Sequence, residues 1–186
     1  MNSCNTNLER SQVIKQIRIY KCCVGLISHS SSIYYNKNVF LFPGISGVGK
    51  STIARKLSGT MTPINDDRNL LEFADNKVIV RSDFSENTCL PGKYIINNDL
   101  TGILKAVFFL IKEYEKDSFI EQLSDKGLIW RKLLTCVAPP SEGLDYLFPN
   151  YYAMIDRLMD LVPFFNFHHN LKDSPEHVAK TIRLII

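Results

Sequence analysis

The chain has 186 residues, enough for one domain with a proper core, and its 45% hydrophobic and 22% charged fractions exclude a disordered or fibrous class. A net charge of +3 argues against a nucleic-acid-binding or polybasic membrane surface. The longest apolar run, Ala106 to Ile111, is six residues, far short of the roughly 20 that span a bilayer.

In chain order, the polar start Met1 to Asn7 is not a secretion signal, and residues 1–17 read as a lead-in segment with a short helix over 7–17. Residues 18–186 read as a single domain. Ile19 to Ile27 and Ser32 to Tyr35 are expected strands, the second closed by the turn Asn36-Lys37-Asn38. Val39 to Phe42 reads as a buried strand, and Ser51 to Ser58 as a helix ended by a left-handed Gly59. Leu70 to Phe73 and Lys77 to Arg81 flank Ala74-Asp75-Asn76 as a hairpin. Leu104 to Lys112 is apolar enough for a buried helix or strand; its aromatic and β-branched content favours strand. Ser124 is placed as the cap of a helix through Leu134, Asn150 of one through Leu161, and Ser174-Pro175 opens a last helix. Strands dominate the first two-thirds and helices the last third, an α/β domain with a mixed sheet. Five cysteines, an odd number with Cys22 and Cys23 adjacent, fit reduced thiols in a cytoplasmic chain.

The segment Gly44-Ile45-Ser46-Gly47-Val48-Gly49-Lys50-Ser51-Thr52 has the phosphate-loop spacing, with a strand before it and a helix behind. Glycines let the backbone wrap an anion closely, and successive amides aim inward from the positive end of the helix. Lys50 would reach the β- and γ-phosphates of ATP, and the Ser51 hydroxyl would meet Mg²⁺. Sixteen residues beyond Lys50 stands Asp66-Asp67. Two adjacent carboxylates could divide the labour, one accepting a proton from an attacking hydroxyl and the other holding the metal; a solvated turn is the plainer alternative. No guanine-specifying Asn-Lys-x-Asp follows the loop, and no long apolar strand ends in Asp-Glu.

The stretch from His29 through the strands to Phe42, the loop Gly44 to Ser51, Gly59 and Asp66-Asp67 resembles the HPr kinase/phosphorylase-like family, small kinases with a phosphoenolpyruvate-carboxykinase-type fold. Looser similarity runs through Leu104 to Lys112, Ile120 to Leu134 and Leu161 to Asp173. The resemblance implies a mixed-sheet phosphate-loop domain that moves a phosphoryl group from ATP, with Mg²⁺, to a serine-type hydroxyl of a protein or peptide. It implies Asp66 as base, Asp67 as support for metal and phosphate together with Ser51, and His29 near the phosphates. The glycine-rich signature with its Glu and Arg that the larger enzyme carries beyond the Asp pair is absent.

Rival readings are an ATP-binding regulatory module that needs no base and a small-molecule kinase acting, for example, on free serine. Arg68, Arg81 and Lys93 are further candidates for stabilising the transferring phosphate, and Asp83 is the rival metal-side carboxylate. His168-His169 has no third ligand at metal spacing, and on a strand the two would face opposite ways. Tyr151-Tyr152 and Phe164-Phe165 read as core or partner-facing aromatics. Neither nucleic acid nor membrane is expected as a partner, and homo-oligomerisation is left open.

Overall fold

The computed structural model describes residues 25–82, 100–137 and 148–185. The lead-in segment, most of the first expected strand, Asp83, and the turn carrying Lys93 lie outside the described residues. The elements are β1 (Gly25–Tyr35), β2 (Asn38–Pro43), α1 (Lys50–Leu57), β3 (Thr62–Asn65), β4 (Arg68–Ala74), β5 (Lys77–Ser82), β6 (Gly102–Glu113), β7 (Phe119–Leu123), α2 (Lys126–Leu134), α3 (Phe148–Leu161), β8 (Phe164–Asn170) and α4 (Pro175–Arg183).

All eight strands belong to one mixed sheet. β2 pairs antiparallel with β1 and parallel with β6. β6 meets β5 antiparallel at its start and β8 in parallel along its later half, while β4 pairs antiparallel with both β1 and β5. The strands β1, β2, β6, β5 and β4 thereby close a ring, from which β8 and then β7 extend. Such closure leaves those five strands without the open edge that invites aggregation.

β2 and β6 are continuous apolar runs because both their faces are covered, the usual condition of parallel strands. Val39, Leu41, Leu104, Val107 and Phe109 face one core with Ile129 and Leu133 of α2 and Ile155 and Leu158 of α3. Phe40, Phe42, Ala106, Phe108 and Leu110 face a second core with Ile53 and Leu57 of α1 and Val178 and Ile182 of α4. Phe108 is central to the second, stacking on Phe42 and Phe165 at 5.4 and 5.5 Å between ring centroids. Each buried side chain of this size contributes about 1.5–3 kcal/mol.

Several boundaries differ from the sequence reading. Ser28 to Ser31 belong to one unbroken β1, not to a connection between two strands. Ser30 and Ser32 have an unexpected partner in Asn69, whose amide donates to the Ser30 carbonyl (2.7 Å) and accepts from Ser32 Oγ (2.6 Å). Gly59 is not left-handed. α1 instead ends through a right-handed Ser58 whose amide turns back to the Arg55 carbonyl. Asp125, not Ser124, caps α2, accepting from the Leu128 amide at 3.0 Å. α3 begins at Phe148, ahead of Asn150, with Pro149 tolerated in its first turn. Among the described residues of the last third, β8 is a strand set between helices that dominate it, as the sequence reading expects.

Candidate functional site

Three segments converge on one cavity of about 360 Å³, lined by His29, by the loop from Ser46 to Thr52 except Val48, and by Asp66 and Asp67. β1 holds them together. The Gly44 amide donates to the His29 carbonyl (3.2 Å), and the Ser30 amide donates to the Asp67 carbonyl (2.8 Å). β1 pairs with β3 at Ser32–Asn65 and with β4 at His29–Arg68, so Asp66 and Asp67 sit at a bend between two strands in one register. Asn65 shapes that bend: its Oδ1 accepts from the Asp67 amide (3.1 Å) and its Nδ2 donates to the Arg68 carbonyl (2.7 Å).

The loop from Gly44 wraps tightly. A Cβ on Gly44 would lie 2.8 Å from Val48 Cγ1, and Gly49 has φ +112°, a conformation side chains rarely adopt. Gly49 caps α1 without any side-chain hydrogen bond, so the first-turn amides remain available to an anion, backed by the helix dipole. Lys50 is buried, and its ammonium donates to the carbonyls of Gly44 (2.7 Å) and Ile45 (3.0 Å). An ammonium has three donors, so one more partner can be taken. Burial lowers the Lys50 pKa, and the carboxylate of Asp67 works against that shift. Ser31 Oγ donates to the Lys50 carbonyl at 3.3 Å, which secures the start of α1 to β1.

His29 Nε2 lies 3.1 Å from Asp67 Oδ1. Burial, followed by the charge of Lys50, pulls the His29 pKa below its usual value, while Asp67 raises it. Near neutrality the ring is therefore uncharged, and the contact is an N–H donated to the carboxylate. This fixes the tautomer with the proton on Nε2 and orients Asp67. Asp66 is buried at the cavity wall.

Of the loop residues singled out from sequence, Ile45 points outward and is 61% exposed, and Val48 packs against Gly44. Ser51 and Asp67 line the same cavity, and a hydroxyl with a carboxylate is an oxygen donor set suited to Mg²⁺. Arg68 is the register partner of His29 but does not line the cavity, and its charge adds to the lowering of the His29 pKa. Arg81 is held away on the hairpin by Glu72, Nε to Oε2 2.5 Å. His168 and His169 do face opposite sides: His168 stacks on Phe119, whereas His169 lies under Gly49. Phe164 and Phe165 are buried in opposite cores, Tyr151 is buried and donates to the Val137 carbonyl, and Tyr152 is 41% exposed.

Sequence reading passed over Ser31, Asn65 and the Cys136 carbonyl, which accepts from the His29 amide at 2.6 Å. Asn65, directly before two aspartates, carried a usable signal, since asparagine favours such side-chain-closed turns. Burial pushes the Cys136 thiol up to about 12, so it is not a nucleophile at neutral pH.

No family model and no curated protein matches the chain. Among solved structures, it is similar to the HPr(Ser) kinase/phosphatase from Coxiella burnetii, with 17% identity and a TM-score of 0.40 over 71% of this chain and 96% of that one. No helix among the described residues is long and apolar enough to cross a membrane.

Proposed function

We propose that the protein is an ATP-dependent kinase that phosphorylates a serine-type hydroxyl, its acceptor being a protein or peptide. The observation that carries this reading is the single cavity shared by an amide-lined loop, a lysine and two carboxylates. The loop amides and Lys50 hold the triphosphate tail. Asp66 accepts the proton of the acceptor hydroxyl as its oxygen bonds to the γ-phosphorus and the bond to the ADP oxygen breaks. His29 keeps Asp67 turned toward the cavity, and Asp67 with Ser51 would hold Mg²⁺. That ion supplies charge neutralisation to the phosphates. Positioning and electrostatics account for most of the rate in this chemistry.

The test is single-turnover incubation with γ-labelled ATP and Mg²⁺ in the presence of serine peptides or free serine. Wild type should transfer label, and Asp66→Asn should lose at least about 100-fold in rate while ATP affinity stays within a factor of a few. Lys50→Ala should weaken ATP binding itself, as read by calorimetry. ATP binding with no transfer to any hydroxyl would convert the reading to a regulatory module, and transfer to free serine alone would make it a small-molecule kinase.

A further inference from the structure

The reaction just described leaves one buried polar side chain beside the loop without a task. β8 places Phe165, Phe167 and His169 toward the core under α1 and α4, and His169 ends that row. It is 1% exposed, and neither Nδ1 nor Nε2 has a hydrogen-bond partner among the described residues. A Cβ on Gly49 would stand 3.3 Å from Nε2 and 3.4 Å from Cε1, so the polar edge of the ring abuts the residue that opens α1. β2, β6 and β8 run parallel, and their carboxyl ends share one edge of the sheet, where ligands of α/β sheets are held. The loop leaves the end of β2, and His169 is the last residue but one of β8. Lys56 of α1 binds that edge down, donating to the carbonyls of Asn170 (3.2 Å) and Leu171 (2.9 Å).

Each orphaned nitrogen carries a desolvation penalty that phenylalanine in the same row would not carry. Burial first, then Lys56 and Lys112, lower the His169 pKa, so the ring is neutral with one donor and one acceptor.

We propose that His169 is a positioning residue of the anion site, its Nε2 edge fixing the Gly49 turn when the loop closes on a triphosphate so that the first-turn amides of α1 stay aimed at the ligand. The inference rests on the loop being a triphosphate site, and it assigns a member of that site on β8, which the sequence motif does not contain.

The experiment measures MgATP affinity by calorimetry and thermal stability for wild type, His169→Phe and His169→Gln in the full chain. His169→Phe should keep or raise the melting temperature yet bind MgATP roughly tenfold more weakly. His169→Gln, whose amide nitrogen approximates Nε2, should recover much of that loss. If His169→Phe does not fold, His169→Leu takes its place. MgATP affinity within twofold of wild type in the apolar variant, or no recovery by glutamine, would reduce His169 to packing and overturn the proposal. Wild type that fails to bind MgATP would take the reading of the loop down first, an outcome distinct from both.

Discussion

Asn69 is fully buried and joins two serine positions of β1 to β4 through three hydrogen bonds: it donates to the Ser30 carbonyl and to Ser30 Oγ, and it accepts from Ser32 Oγ. A strand of alternating hydroxyls would be poor core material without it, because each buried hydroxyl left alone carries a desolvation penalty. Asn69→Ala would strand the Ser30 carbonyl and the Ser32 hydroxyl at once. It should lower unfolding stability by about 2–4 kcal/mol in urea denaturation. An Asn69→Ala loss below about 0.5 kcal/mol would show that these serines find other partners. The role of His29 is of the same kind, one N–H that sets the direction of one carboxylate.

At the scale of elements, the legible features were those whose chemistry is local. The turn Asn36-Lys37 has both residues at positive φ, as a two-residue hairpin turn requires, and Asp75 does the same between β4 and β5. Ser174 caps α4 through the His177 amide, with Pro175 in the first turn. The loop motif was legible because its glycines and its flanking strand and helix are contiguous in sequence. The continuity of β1 was not, since Ser28 to Ser31 are held as strand by pairing with β2 and β4, with Asn69, some 40 residues away, meeting the polar groups of Ser30. β8 was obscured for a similar reason. Phe-Phe-Asn-Phe-His-His has apolar residues on both faces because α2 and α3 cover one and α1 and α4 the other, so it shows no alternation to read. The place of His169 beneath Gly49 follows from the order and register of parallel pairing across β6, and neither leaves a mark in sequence.

For the molecule as a whole, two imidazoles, His169 buried and His29 partly so, give stability a definite pH slope. His29 and His169 both have pKa values held below 6.5 by burial, so the unfolded chain binds more protons than the folded one as pH falls. Their neutral forms are fully accommodated above about pH 6.5, and that contribution is lost as pH drops through the folded values. The urea midpoint should therefore fall between about pH 7.5 and pH 5, and His169→Phe should fall less over the same interval. Parallel pH profiles for the two proteins would remove His169 from this account. The same wide view gives β1 a further meaning. One side of it meets the end of β2, where the loop from Gly44 begins, and the other meets the bend that bears the two aspartates. Under the proposed function, the span between phosphate donor and proton acceptor is thus the width of a single strand, a ruler that neither flank can stretch. Evolution can lengthen the hairpin at Asn36-Lys37 without touching that gauge, whereas one residue gained between His29 and Ser32 would throw the two halves of the site out of step.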